Sequence, residues 1–485
     1  RILRPPAHGA TLQAADVSAA ERIPDLRILR EGDLLAVLHP RPDLAEKGLS
    51  LIRARFETPR PQVDERNLFS YLLGAAPGGS VVAQEGDLDR GEKMARRKFD
   101  AAYLQRYVAH APMETHTALA HVEAEKATLW VSTQTPFSVR EEVARAISLP
   151  SRVVRVITPF VGGGFGGKTW NRQAVEAALL SRRTGKPVQV AWSREEEFFF
   201  DSFQPAAAVK IRSGLDGGGR ITFWDYRVYF AGERSAATFY ALPAHRTSVH
   251  GSFWGGSGIH PFNTGAWRGP GSNTNTFGRE AHMDRMAVAE GIDPLAFRKS
   301  HLKNERMKKT LEAAARAFGW EGFRKGPGRG RGLACADYLG TYVAAAAEVE
   351  VDLRTGEVQV LRLVCAQDMG QVINPEGARL QIEGCLMMGM GYALSEEVHF
   401  RGGEILDKNF DTYRIPRFSW MPRIETVLLE NPDLPPQGGG EPAVTLMGAV
   451  LANAVSDAAG SPMFELPMTP ERVRQAMAQA SSTKP

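Results

Sequence analysis

The sequence predicts a mixed α+β chain of more than one domain, and three observations carry that reading. Its 485 residues are too many for a single hydrophobic core. Short β-rich runs and helical patterns interleave along its length. Two breaks in composition, at 58–100 and 326–332, divide it into residues 1–57, 101–325 and 333–485, with 58–100 expected as a linker.

In chain order, Leu34–Leu38 reads as a strand and Asp43–Ile52 as a helix, which makes 1–57 a small α+β unit cut at its start. Pro59, Pro61, Gly74, Gly78 and Gly79 give 58–100 its linker character. Thr128–Ser132 is β-rich, and Ser138–Ile147 looks helical, with Ser138 and Glu141 at capping-box spacing. The strand Val153–Ile157 runs into a glycine loop, and the helix Ala174–Arg183 after it is closed by Gly185. Glu348–Asp352 and Glu357–Leu363 flank Arg354-Thr355-Gly356 as a hairpin. Gly377–Leu394 reads as a helix whose glycines imply close backbone packing.

Composition removes several function classes. Hydrophobic residues are 43% and charged residues 24%, as in ordinary globular proteins. Net charge is only +4, and the basic stretch Arg324, Lys325, Arg329, Arg331 reads as a solvated linker rather than a nucleic-acid footprint. Cys335, Cys365 and Cys385 are far apart with no Cys-x-x-Cys pair, so no iron–sulfur cluster or zinc site is expected and no side chain is assigned as a metal ligand. Each cysteine is expected in an apolar interior. No apolar run is long enough to span a membrane.

The segment Gly162-Gly163-Gly164-Phe165-Gly166-Gly167-Lys168-Thr169 matches the triphosphate-loop pattern G-x-x-x-x-G-K-[ST] between a strand and a helix. Consecutive glycines expose backbone N–H groups, so an anion or cofactor cradle is expected in either case. A nucleoside-triphosphate hydrolase is one reading. Against it stand five glycines in the first six positions and the lack of a partner strand ending in a magnesium-binding Asp nearby; the run Val358–Val364 leading to Asp368 is remote.

Other motifs point elsewhere. Gly162–Lys168, Trp130–Gln134 ending in Ser-Thr-Gln, Pro112-Met113-Glu114 (with Thr115 where proline is usual) and Ala266–Gly271 resemble segments of the xanthine dehydrogenase/aldehyde oxidase family of molybdenum hydroxylases. Ile373-Asn374-Pro375, Gln381–Gly384 and Gly438–Pro442 follow in the family's order. The details resemble most the isoquinoline 1-oxidoreductase large subunits, and Arg4–Gly9 resembles the middle of their a/b hammerhead domain. The resemblance implies a truncated hammerhead over 1–57 followed by two molybdopterin-binding domains, 101–325 and 333–485. The family's Met/Val-Gly-Gln-Gly segment is absent, so it is expected in a preceding part or on a separate polypeptide, and the chain alone is not expected to hold cofactor tightly.

The resemblance also implies roles. Glu441 would be the base that takes the proton from the metal-activated hydroxyl, so that oxygen derived from water attacks an electron-poor carbon of an aldehyde or aromatic N-heterocycle. Taken alone, a Glu before Pro442 in a glycine turn is a surface turn residue. Arg268 would stabilise charge developing on the substrate, the alternative being an ion pair with Glu280. Gln134 would hydrogen-bond an oxygen ligand of molybdenum, or cap the following helix. Gly164, Phe165 and Gly166 would present backbone to the pterin and metal ligands, with Phe165 also a candidate plug against the core. Gly440 would let the backbone approach closely. His110, His116 and His121 read as packing histidines, Glu114 as a structural carboxylate, and Lys168 as a loop-packing or anion contact.

The implied cofactor is molybdenum on molybdopterin, in the cytosine dinucleotide form. Electrons would leave through a small partner protein with [2Fe–2S] clusters and on to a cytochrome c. The non-enzyme alternative is a cofactor-free assembly or scaffold role. The chain opens at Arg1 with neither methionine nor a signal-like segment. A periplasmic location is expected from relatives with upstream export signals, the cytoplasm being the alternative.

Overall fold

The computed structural model describes residues 1–32, 34–255 and 258–482 and is organised around one six-stranded and two four-stranded sheets. Mixed helix and sheet run through the whole length, as expected from the interleaved sequence patterns.

The N-terminal unit pairs Arg27–Glu31 with Leu34–Leu38 and Thr11–Asp16 with Arg53–Glu57, both antiparallel, around the helix Pro42–Ser50. Ile2 and Ala36 leave that unit and join the core of the first four-stranded sheet. The strands of that sheet lie in the order Val188–Ala191, Thr117–Val122, Ala127–Val131, Val154–Ile157. Helices Pro136–Ala146 and Arg172–Thr184 cover it, burying Val139, Val143, Ala174, Ala177 and Ala178 at helical spacing. Gly185 ends the second helix at φ 64°, the left-handed closure its sequence announced. The capping box expected at Ser138 and Glu141 does not form. Pro136 occupies the first helical turn, where its fixed φ starts the helix two residues earlier. A capping box lies instead at Ser193 and Glu196.

The six-stranded sheet runs Glu465–Leu466, Arg97–Gln105, Ala207–Leu215, Ile221–Tyr229, His245–His250, Ser80–Glu85. The stretch 58–100, expected as a linker, therefore differs from that reading: it carries helix Leu68–Ala75, the edge strand Ser80–Glu85 and helix Leu88–Met94. Leu68 and Leu72, one turn apart, are buried and anchor it. At Gly79 the missing side chain makes room for the His250 ring, 2.4 Å from where a Cβ would sit.

The second four-stranded sheet runs Arg329–Tyr338, Thr341–Val351, Val358–Asp368, Arg423–Leu429. Val351 pairs with Val358 across the hairpin predicted there. Ala344, Ala345, Ala346 and Ala347 are all fully buried, so both faces of the strand are covered. Gly330 and Gly332 belong to packing, not to a linker. A Cβ on either would lie 2.3 Å from the Ala454 backbone of helix Met447–Ala459. The basic stretch beside them is paired rather than merely solvated: Lys325 bonds Asp457 at 2.6 Å, Arg329 bonds Glu348, and Arg331 stacks 3.9 Å over Trp320.

Helix Ser272–Ala289, buried along nearly its whole length, packs against the six-stranded sheet and the second four-stranded sheet. One continuous core extends from Val63 to Val473. The three cysteines are free and buried, as expected. Among the described residues no helix is long and apolar enough to cross a membrane.

Candidate active site

The glycine loop follows strand Val154–Ile157 and is shaped by what its glycines admit. A Cβ on Gly164 would sit 2.5 Å from Gln134 Oε1, and one on Gly166 would sit 1.7 Å from the Ala266 carbonyl oxygen. Gly163 and Gly166 have φ of 95° and 118°, and Phe165 itself is left-handed at 55°. A non-glycine residue in that region costs about 1–3 kcal/mol, which surrounding contacts must hold in place. Here the Phe165 carbonyl accepts from Arg268 N–H at 2.9 Å, and Gly166 N–H donates to Gln134 Oε1 at 3.0 Å. The Phe165 ring is 39% exposed, so it is not a plug into the core.

The triphosphate-loop reading loses its lysine. Lys168 is fully buried, and its Nζ donates to Glu114 Oε2 at 2.8 Å, the same oxygen that receives the Gly162 N–H. The following α-helix begins only at Arg172, after a 3-10 turn over Gly167–Thr169, so the loop does not open directly onto an α-helix N-terminus.

Arg268 comes from the Ala266–Gly271 loop. Its Nε donates to the Gly440 carbonyl at 2.9 Å and its Nη2 to Gln381 Oε1 at 2.7 Å. The alternative pairing with Glu280 is not made, because Glu280 is bound by Arg298 at 2.9 Å. Arg268 thus fastens three distant segments: its own loop, helix Pro375–Leu394 and the 438–441 glycine run. Asn374, ahead of that helix, caps it through Gly377 N–H at 2.9 Å, which accounts for the Ile373-Asn374-Pro375 motif.

Glu441 is held through both carboxylate oxygens. Oε1 accepts from Gly269 N–H at 3.2 Å and Oε2 from the Tyr338 hydroxyl at 2.7 Å. Burial, and then the adjoining carboxylate, push the Tyr338 phenol well above its ordinary value, so it remains a donor. Cys385 contributes its thiol to the Gly440 carbonyl at 3.2 Å, and burial raises that thiol to about 11.

Beneath the loop lies a pair that sequence reasoning missed. His110 Nδ1 bonds Asp201 Oδ1 at 2.6 Å, and Nε2 meets the Ala266 carbonyl at 2.8 Å. Burial alone would lower the His110 pKa, but the Asp201 carboxylate raises it above the ordinary value. His110 is thus a post under the carbonyl that faces Gly166. His116, by contrast, bonds Glu197 at 2.9 Å and packs at a tilt against the Trp192 ring, 4.6 Å between centroids.

Gln134, Phe165, Gly166, Arg268, Gln381, Gly440 and Glu441 converge on a cavity of about 490 Å³. Gly164, also expected to meet a cofactor, lies beside it against Gln134. Among the described residues the N–H groups of Gly164 and Phe165 have no protein acceptor, although Gly164 is buried. Unpaired buried backbone donors are rare and need an acceptor from outside the chain, water or a ligand. The donors around the cavity are amides, a guanidinium and backbone N–H groups rather than thiolates or imidazoles. That set suits an anionic organic cofactor that brings its own metal ligands.

Comparison with known proteins agrees with this fit. A family model described as the molybdopterin cofactor-binding domain matches residues 75–302, and a second of the same description matches 283–422. The chain is 28% identical over 521 aligned positions to a subunit of nicotinate dehydrogenase from Pseudomonas putida, covering 98% of this chain and 44% of that protein. It is 28% identical over 384 positions to the beta subunit of isoquinoline 1-oxidoreductase from Brevundimonas diminuta, covering 75% and 49%. The chain therefore spans about half the length of these curated relatives. Quinoline 2-oxidoreductase from Pseudomonas putida 86 superposes with a TM-score of 0.85 at 18% identity, over 99% of this chain and 94% of that one, and so shares the fold.

Proposed function

The chain belongs to the xanthine dehydrogenase/aldehyde oxidase family of molybdenum hydroxylases, and from that premise we propose that it forms the catalytic cofactor site of an enzyme hydroxylating an aromatic N-heterocycle or an aldehyde. The observation that carries this is the convergence of Gln134, the glycine loop, Arg268 and Glu441 on one cavity. The molybdenum–pterin cofactor, when bound, supplies a two-electron acceptor and an oxygen atom drawn from water. The chain's own residues bind, orient and move a proton.

Gly164 and Phe165 offer N–H donors to the cofactor, and Gln134 offers its amide NH₂, its oxygen being occupied by Gly166. Glu441 accepts the proton released as the new C–O bond forms, its carboxylate already oriented by Gly269 and Tyr338. Arg268 acts through position. By holding the Gly440 carbonyl it fixes the residue next to the base, and its charge sits at the cavity wall. In this reading the cofactor is the cytosine dinucleotide form, and electrons leave through a [2Fe–2S] partner protein and a cytochrome c. Both relatives are themselves components of larger enzymes, which supports a multi-subunit assembly.

The test is to purify the full complex and measure molybdenum per chain, the nucleotide released on acid hydrolysis, and label incorporation from ¹⁸O-water into hydroxylated N-heterocycle or carboxylic acid. Stoichiometric molybdenum with solvent-derived oxygen in the product is expected. A complex that turns over the same substrates without molybdenum, or with oxygen from O₂, overturns the reading.

A further inference from the structure

We infer that Tyr338 is the positioning residue of Glu441, setting the orientation in which its carboxylate meets the cavity; this rests on Glu441 being the base as proposed above. Tyr338 ends the strand Arg329–Tyr338 and is 4% exposed. The backbone around it is pinned from two sides. The Asp337 carbonyl accepts from Ser235 Oγ at 3.1 Å, and Thr341 Oγ1 donates to the Gly438 carbonyl at 2.8 Å. The second bond ties the tyrosine's hairpin to the glycine run that delivers Glu441, so phenol and carboxylate move as one body.

Behind the phenol, Arg234 Nη1 lies 3.4 Å from the hydroxyl oxygen. A guanidinium donating to a phenol strengthens that phenol's own donation, so the three groups form a directed chain from Arg234 through Tyr338 to Glu441. The ionisable groups facing the carboxylate are Tyr338 from its strand, Arg234 behind it, Arg268 from the 266–271 loop and Cys385 from helix Pro375–Leu394. The arginines stay charged, and burial keeps the phenol and thiol protonated through neutral pH. None of these four changes charge between pH 5 and about 9, so their electrostatic effect on the carboxylate is constant across that range.

A hydrogen bond donated to a carboxylate favours its ionised form. Removing the donor with Tyr338→Phe should move the acid limb of kcat/KM to higher pH by about one unit and lower the plateau by roughly threefold to tenfold. Replacing Tyr338 with 3-fluorotyrosine keeps the shape and strengthens the donor, and should move the limb to lower pH. Opposite shifts from two near-isosteric changes are not produced by a merely structural role, and the fluorinated residue keeps the test open if the phenylalanine variant misfolds. A readout independent of turnover is the infrared carboxylate band that the wild-type complex shows and Glu441→Gln lacks; Tyr338→Phe should shift it. If Glu441→Gln is inactive while neither Tyr338 variant moves the limb or the band, this inference fails and the base assignment stands. If Glu441→Gln keeps wild-type turnover, the base assignment fails first.

Discussion

Gly166→Ala tests the cradle most directly. The added Cβ would begin 1.7 Å from the Ala266 carbonyl oxygen, and real contacts essentially never fall below 3.0 Å, so loop and carbonyl must part by at least 3.0 − 1.7 = 1.3 Å. The carbonyl has little freedom to yield, because His110 Nε2 holds it at 2.8 Å and Asp201 holds His110. The loop must move instead, and at φ 118° alanine adds about 1–3 kcal/mol of backbone strain. A displacement of about 1 Å in a positioned site costs roughly 100-fold in rate. We expect molybdenum content to fall to about a tenth of wild type or less and residual turnover per molybdenum to fall about 100-fold. The thermal midpoint should drop only a few degrees, since strain of this size is small against the whole fold. Gly438→Ala is the matched control, having nothing within 4 Å of its added Cβ. Metal analysis, turnover and a melting curve on the same preparations suffice. Wild-type molybdenum and turnover in Gly166→Ala would refute the reasoning.

Further expectations concern the surrounding groups. Glu441→Gln should lower turnover per molybdenum atom by about 10²–10⁴ with metal content near wild type; a change within threefold would make Glu441 a turn residue. Lys168→Ala should lower the melting temperature by unpairing Glu114 from a buried cation and should reveal no nucleotide site; micromolar ATP affinity lost in that variant would revive the triphosphate loop. Glu396 is buried against the Tyr413 hydroxyl, and burial raises its carboxyl from 4.5 to about 8. The folded protein therefore keeps a proton that the unfolded chain has released, and the associated stability is full below pH 4.5 and lost as pH rises towards 8. Urea midpoints at pH 5 and pH 8 should differ less in Glu396→Gln than in wild type.

Much of the frame was legible because its signals are local. The glycine loop, the strand before it, the helix closed by Gly185 and the hairpin at 354–356 are each written within about twenty residues. The linker reading of 58–100 failed because glycine and proline mark turns and close packing alike, and only the burial of Leu68 and Leu72 separates the two. Gly330 and Gly332 misled in the same way. The polar framework was hidden for a different reason. Tyr338 meets Glu441 across 103 residues, His110 meets Ala266 across 156, and Arg268 meets Gly440 across 172. No periodicity links such partners. A histidine that props a carbonyl looks, in sequence, like any other histidine.

The long reach of Arg268 has a consequence for how the protein comes into being. At roughly 5–20 residues per second, the glycine loop leaves the ribosome on the order of ten seconds to a minute before Gly440 is made. Until then Arg268 lacks its acceptor and the loop lacks its opposite wall, while strand Arg97–Gln105 still awaits Glu465–Leu466 along its edge. Translation cut short before residue 440 leaves the glycine loop, Gln134 and Arg268 facing a cavity that lacks the wall supplied by Gly440 and Glu441. The cavity is therefore closed by the part of the chain that is made last, and its walls come together only after nearly all of the sequence has been synthesised.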